Sequence, residues 1–261
     1  MKSAVYQLDT FTDRILGGNP AVVVRLSDWP EDGTLTAIAQ EHNAPTTAFL
    51  RDSGDGFEIR YFLPIGELPL VGHASLAAAH VLLKILFPGL ASMTLRRRAG
   101  TLLVSAEDDG RVAITLPAST SQPCAMPQGL AGAVGAPIAE VRANGAQYFA
   151  VLENAAAVAS IAPDMDALMR LDRDGLVVTA PGDDCDFVSR AFAPKEGLPE
   201  DPVCGSAHLA LVPFWAERLG KQNLRALQLS PRGGELHCTL QGQSVRLAGH
   251  CALYMEGTIA L

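Results

Sequence analysis

The chain has 261 residues, a mass of 27.5 kDa and a formal net charge of -8, with 48% apolar and 18% charged residues. That length allows one large domain or two of about 100–150 residues, each with a real core, and the composition excludes a disordered or fibrous chain. The acidic balance excludes a general nucleic-acid binder: the one basic cluster is Arg96-Arg97-Arg98, which reads as decoration of a strand or its edge.

The first residues run directly into a strand pattern, with no apolar leader and no cleavage site. No stretch reaches the ~18 apolar residues that a membrane helix needs. Five cysteines, Cys124, Cys185, Cys204, Cys238 and Cys251, are widely spaced and form no C-x-x-C pair. They indicate neither a disulfide framework nor a zinc site, and the expected compartment is a reducing cytoplasm.

In chain order, residues 3–8 and 21–25 read as strands joined by the turn chemistry of Gly17-Gly18-Asn19-Pro20. A short helix is expected over 32–41 and strands over 46–50 and 57–62. Leu63-Pro64-Ile65-Gly66 breaks the pattern, and residues 71–84 follow as a helix apolar nearly all round, hence buried on every side. Strands over 93–95, 101–106 and 111–116 complete the first half. The second half repeats the plan, with strands at 147–152, 177–179 and 186–192, a helix at 163–171, and further strands at 227–229, 235–240 and 244–247. Between these lies Glu200-Asp201-Pro202-Val203-Cys204-Gly205-Ser206-Ala207-His208, which opens a second apolar helix at Gly205-Ser206 with Cys204 at its tip.

The repetition extends to residues. Arg60-Tyr61-Phe62-Leu63-Pro64 matches Arg190-Ala191-Phe192-Ala193-Pro194, and Val71-Gly72-His73-Ala74-Ser75-Leu76-Ala77 matches Cys204-Gly205-Ser206-Ala207-His208-Leu209-Ala210. Arg98-Ala99-Gly100 matches Arg232-Gly233-Gly234; Gly72 to Arg98 spans 26 residues and Gly205 to Arg232 spans 27. Three matches in one order at one spacing imply an internal duplication with a period too long for a solenoid. The expected architecture is α+β: two pseudo-symmetric lobes, each a barrel-like, mostly antiparallel sheet around a central apolar helix. The boundaries are 1–118 and 119–247, with 248–261 returning to the first lobe. By pseudo-symmetry the helix starts at Gly72-His73 and Gly205-Ser206 are expected to meet at a cleft, where two positive dipole ends favour a carboxylate.

Candidate chemistry sits at those tips. Cys204 is expected to have a depressed thiol pKa at a helix N-terminus and to act as base or nucleophile; the alternative is a small space-filling residue. His73 is expected neutral, with Asp201 reaching it to orient the ring; the plainer alternatives are a core histidine and a turn aspartate. Ser206 is an N-cap, a ligand contact or both. His80 and His208 read as structural. No phosphate loop, dinucleotide fingerprint, metal spacing or nucleophile elbow is present, so the expected mechanism uses neither metal nor cofactor.

These residues carry a resemblance. Asp9-Thr10-Phe11 with Gly18-Asn19-Pro20-Ala21, Gly72 to His80, Arg190 to Pro194, Glu200 to His208 and Arg232-Gly233-Gly234 resemble the PhzF-like (phenazine biosynthesis) isomerase family within the diaminopimelate epimerase-fold superfamily. The resemblance implies a two-lobed fold with its site between the lobes. It also implies cofactor-independent proton transfer on a small carboxylic acid, and a homodimer. It places Gly72, His73, Asp201, Gly205 and Ser206 on substrate-site positions. Two departures stand out. Thr46 occupies the position of the family's catalytic glutamate, which argues against the phenazine reaction, and Cys204 stands where threonine is common. The racemases of the superfamily pair two cysteines, but the first-lobe position here is Val71. A single thiol, Cys204, with His73 and Asp201, leaves an isomerase on a small carboxylate as the expectation. A lyase or dehydratase on a hydroxy or amino acid and a catalytically inactive acid-binding protein are the alternatives.

Overall fold

The computed structural model describes residues 2–54 and 56–261. The chain divides into two compact units, one running to Leu116 and joined by Arg246–Leu261, the other Pro117–Val245. Among the described residues no helix is long and apolar enough to cross a membrane.

The first unit contains β1 (Lys2–Thr10), β2 (Asn19–Leu26), α1 (Asp32–His42), β3 (Thr47–Asp52), β4 (Phe57–Leu63), β5 (Gly66–Leu68), α2 (Gly72–His80), β6 (Ser92–Arg97), β7 (Gly100–Ala106) and β8 (Val112–Pro117). The second contains β9 (Gln122–Pro123), α3 (Leu130–Val134), β10 (Glu140–Ala143), β11 (Gln147–Val151), α4 (Ala155–Ser160), α5 (Met165–Met169), β12 (Gly175–Pro181), β13 (Phe187–Ala193) and β14 (Leu198–Asp201). It continues with α6 (Gly205–Leu219), β15 (Asn223–Gln228) and β16 (Gly234–Gln241). The chain then passes through β17 (Ser244–Gly249) to β18 (Cys251–Ala260), which lies antiparallel to β1.

The two units share one pairing diagram. β1–β2 antiparallel, β2–β3 parallel, β3–β4 antiparallel, β4–β5 antiparallel, β4–β6 parallel and β6–β7 antiparallel recur in the same order and sense. Their counterparts are β10–β11, β11–β12, β12–β13, β13–β14, β13–β15 and β15–β16. Each central helix enters at the same point, after the short hairpin and before the next parallel strand. A duplication at the level of residues has thus become one at the level of hydrogen bonds.

The helices follow from their side chains. In α2 the run His73 to Ala79 is buried throughout. Alanine is the strongest helix former and needs no exposed face, and the helix packs against β1, β2, β3, β7 and β18. After His80 it continues as a π-helical turn over Val81–Leu86, where the sequence predicted unbroken α-helix. In α6 Pro213 lies inside the helix and cannot donate a hydrogen bond back to Leu209. The freed Leu209 carbonyl accepts instead from the Ser119 N–H at 3.0 Å. Trp215 fills the middle of the second unit, stacked on Phe187 at 5.7 Å and donating its indole N–H to Thr179 Oγ1 at 2.9 Å.

Some elements differ from the sequence reading. The single helix expected over 163–171 is the short α5, whose start is fixed by Asp164 accepting from the Ala167 N–H; α4 precedes it, capped in the same way by Asn154. Both helices are too short to show a 3.6-residue period. β10, β14 and β18 were also not expected.

The R-x-F-x-P repeat has a structural cause. Arg60 of β4 grips Glu67 of β5 through two bonds, Nε–Oε1 at 2.8 Å and Nη2–Oε2 at 2.7 Å. Arg190 of β13 grips Glu200 of β14 likewise, at 2.7 and 2.9 Å. Each guanidinium also lies over the phenylalanine two residues on, Phe62 at 5.0 Å and Phe192 at 5.1 Å. In each unit the gripped glutamate stands five residues before the helix-opening glycine, Gly72 or Gly205. Side-chain exposure is 8% for Arg60 and 11% for Arg190, so each fork is largely shielded from water. Replacing Arg190 by Met strands the Glu200 carboxylate and is expected to cost about 3–5 kcal/mol, whereas Arg190→Met with Glu200→Met recovers much of that loss. Urea unfolding of the two variants checks this, and equal losses in both would remove the fork from the account.

Candidate active site

In the first unit the site is built around the start of α2. Its N-cap, Val71, is extended and offers no side-chain cap among the described residues, so the first amides of the helix are left to other partners. Gly72 opens the helix and His73 follows, 8% exposed. Asn19, at the start of β2, donates its side-chain N–H to His73 Nδ1 at 3.3 Å. That bond selects the tautomer with hydrogen on Nε2, and among the described residues Nε2 has no partner. Burial pulls the His73 pKa down to about 4, so the ring is neutral at physiological pH. The product is a neutral N–H donor with nothing yet to donate to.

The loop before Asn19 is held in an unusual shape. Phe11 and Leu16 have positive φ, and Asp9 Oδ2 accepts the Leu16 N–H at 2.7 Å. Gly18 sits at φ +52, and a Cβ there would lie 2.0 Å from the Thr10 carbonyl oxygen, so only glycine fits. Thr46, immediately before β3, is 1% exposed, and its carbonyl accepts the Val22 N–H at 3.0 Å. Its hydroxyl lacks the acidity of a carboxyl group and cannot take that role in proton transfer.

In the second unit Asp201 ends β14, Cys204 is the N-cap of α6, Gly205 opens the helix and Ser206 follows it. Two polar side chains missed by the sequence reading hold this turn. Gln228 accepts the Cys204 N–H at 2.8 Å and donates to the Asp201 carbonyl at 2.6 Å, and Ser230 donates to the Pro202 carbonyl at 2.8 Å. His208 Nδ1 bonds the Cys204 carbonyl at 2.8 Å. Cys204 is thus pinned at both main-chain groups, leaving its thiol as the variable part. Sγ lies 3.3 Å from Ser206 Oγ and feels the charge of the Asp201 carboxylate, which accepts the Val203 N–H at 3.3 Å.

One expectation is corrected here. The helix start was expected to depress the Cys204 pKa, but burial, and then the negative charge of Asp201, push it well above its ordinary value. The Ser206 hydroxyl and Ala207 amide act in the opposite sense and do less. A thiol 6% exposed beside a carboxylate loses more from desolvation and repulsion than one helix end returns. The resting group is a neutral thiol. Ser206 does not cap α6, and its side chain is exposed at the helix start, free to meet a ligand.

The structure brings Asp201, Cys204, Gly205 and Ser206 together in one unit and Gly72 and His73 at the matching point of the other. Asn19 and Gln228 left faint signals: an asparagine inside a turn motif, and a lone amide between Leu227 and Leu229 of an apolar strand.

Comparison with known proteins gives this arrangement a setting. A family model described as phenazine biosynthesis-like protein, PhzC-PhzF, matches residues 8–257. The chain is 43% identical over 261 residues to an uncharacterised isomerase of Pseudomonas aeruginosa, covering all of both chains. It is similar to a crystal structure of a PhzF-family phenazine biosynthesis protein from Enterococcus faecalis, with 36% identity, a TM-score of 0.96 and full coverage of both chains. A hydroxyproline epimerase from Agrobacterium vitis, 12% identical with a TM-score of 0.64, covers 100% of this chain and 93% of its own and shares the fold.

Three histidines, His73, His80 and His208, are each held near a pKa of about 4 by burial. The unfolded chain protonates them near ~6.5, so between those values it binds more protons than the native state. Stability is therefore fully present above about pH 6.5 and falls as pH drops toward 4, by up to ~1.4 kcal/mol per pH unit for each histidine. Urea midpoints measured from pH 7.5 down to ~4.5 check the sign; a flat profile contradicts neutral, buried rings.

Proposed function

Because the chain belongs to the phenazine biosynthesis-like family of isomerases, we propose that it shifts a proton on a small carboxylic acid without a cofactor, using Asp201 and Cys204 as an acid–base couple. The observation that carries this reading is a buried, neutral thiol that feels the charge of the carboxylate three residues before it. The carboxylate is placed to accept a proton, and the thiol holds one that it can give once that charge is neutralised.

The steps balance. Asp201 takes a proton from an activated carbon of the substrate, and the electron pair moves into the conjugated acid. Cys204 delivers its proton to another carbon of that system, which completes a double-bond shift. The resulting thiolate recovers its proton from Asp201, and the couple returns to its starting state. The negative charge that develops on the substrate carboxyl group is stabilised by hydrogen-bond donors of the second unit, the amides at the start of α6 and the Ser206 hydroxyl.

Thr46 supports a reaction other than the phenazine step. It leaves the first unit without a carboxylate at that point, and the couple in the second unit takes over proton transfer. A second reading, a protein that binds a small acid without turning it over, draws on the raised Cys204 pKa.

One experiment separates the two. Unsaturated and 2-oxo carboxylic acids are incubated with the protein in deuterium oxide and followed by proton NMR. Turnover appears as deuterium entering the carbon skeleton together with a shifted double bond. Cys204→Ala and Asp201→Asn are each expected to lower the rate by about a hundred- to ten-thousand-fold while the ligand still binds. Full activity in Cys204→Ala removes the thiol from the mechanism, and saturable binding with no exchange for any acid favours the binding reading.

A further inference from the structure

His208 lies in the first turn of α6, fully buried, and its ring takes no part in the proton transfers proposed above. A carbonyl oxygen only accepts, so the 2.8 Å contact with the Cys204 carbonyl puts the proton on Nδ1, which donates it. Nε2 is then a bare acceptor, buried and, among the described residues, without a partner. An acceptor left in that state carries a desolvation penalty. Leucine would fill the same space beside Phe187, whose ring centre lies 5.7 Å away, without that penalty.

The duplication shows what the imidazole replaces. Ser75 holds the matching place in α2 and is equally buried. Its hydroxyl donates to the carbonyl of the N-cap Val71 at 2.7 Å and accepts from the Tyr61 hydroxyl at 2.6 Å. In the second unit Ala191 stands in the place of Tyr61, so the bulk has moved from the strand to the helix. The side-chain bond to the N-cap carbonyl has survived that exchange. The main-chain bond beside it has not kept its length. Ser75 N–H reaches the Val71 carbonyl at 2.9 Å, whereas His208 N–H reaches the Cys204 carbonyl at 3.4 Å. In the second unit the ring supplies the short bond.

The Cys204 carbonyl and the Gly205 N–H belong to one rigid peptide unit, so holding one end aims the other. No side chain caps α6, and the Gly205 N–H is the first of its orphan donors. A strong bond to the carbonyl also polarises that amide and makes it the better donor. On the other side of Cys204, Gln228 holds the preceding peptide through the Cys204 N–H at 2.8 Å. We propose that His208 is a positioning residue, which orients the Cys204–Gly205 peptide so that the Gly205 N–H meets the carboxylate of the bound acid; this rests on the acid-binding reading above.

Cys204-Gly205 is the only Cys-Gly step in the chain. The full chain labelled with carbonyl carbon-13 cysteine and nitrogen-15 glycine therefore gives one correlated resonance from this peptide. Crotonate and 2-oxobutyrate are titrated at constant ionic strength against chloride, and the resonance is expected to move saturably with the acids and not with chloride. His208→Asn keeps a donor in the place of Nδ1; it is expected to keep the carbonyl shift of the free protein and to bind within about threefold of the native chain. His208→Leu fills the space without a donor; it is expected to move the carbonyl shift and to weaken binding about tenfold. A merely space-filling role predicts the reverse order. Ala191→Tyr with His208→Ser, which copies the first unit, is expected to restore both readouts. Nitrogen-15 histidine in the native chain gives a test that needs no folded variant: His208 carries its proton on Nδ1, and an Nε2–H tautomer overturns the proposal. His208→Leu matching the native chain, or His208→Asn faring worse than His208→Leu, overturns it while the native chain still binds acid. A native resonance that ignores both acids overturns the acid-binding reading, and the proposal with it.

Discussion

Two buried arginine–carboxylate forks, Arg60 with Glu67 and Arg190 with Glu200, fix the hairpins from which both central helices start. A fork of this kind locks two strands in rotation as well as distance, because two parallel bonds leave the carboxylate one orientation. Five residues later the chain must turn into a helix whose first amides are free, and small errors at the hairpin would be carried into the position of those amides. The glycine that follows allows close approach, and the apolar run behind it commits the helix to the interior. The order of dependence is therefore fork, hairpin, turn, helix start, site.

The duplication separates frame from chemistry. Glu67-Leu68-Pro69-Leu70-Val71-Gly72-His73-Ala74 stands against Glu200-Asp201-Pro202-Val203-Cys204-Gly205-Ser206-Ala207. Glutamate, proline, glycine and alanine recur in step, and each has a backbone or pairing role. Beyond the apolar exchange of Leu70 for Val203, the positions that vary are Leu68 against Asp201, Val71 against Cys204 and His73 against Ser206, and at each of these at least one unit carries a side chain able to move or donate a proton. The helix starts keep their main-chain donors in both units, while the proposed acid–base couple is confined to the second. That asymmetry favours proton traffic on one face of a substrate over the two-faced chemistry of a racemase.

Much of the frame was legible in the sequence, because it rests on strong local signals. An unbroken apolar run after a glycine marks α2 and α6, and R-x-F-x-P marks the paired strands. What was illegible depends on contacts distant in sequence. Asn19 reaches His73 across 54 positions and Gln228 reaches Cys204 across 24, and no local pattern announces either bond. The Cys204 pKa failed for a related reason. The helix dipole is visible from spacing, but desolvation and the facing Asp201 charge depend on the fold, and they outweigh it. The short α4 and α5 escaped because one turn of helix has no period to detect, although their caps, Asn154 and Asp164, were in plain view.

The raised thiol pKa strengthens the proposed couple. While Asp201 is ionised, its charge is one of the causes holding the proton on Cys204. Once Asp201 has taken a proton from the substrate, that charge is gone, and the thiol pKa must fall. The first transfer thus prepares the second: the group that was a poor acid at rest becomes a better one at the moment a proton is needed. When the thiolate forms, the neighbouring acid is protonated, so the reset requires no diffusing base. A threonine hydroxyl at this position would hold its proton more tightly still, whereas a thiol is the more acidic of the two and gives it up once the neighbouring charge is gone.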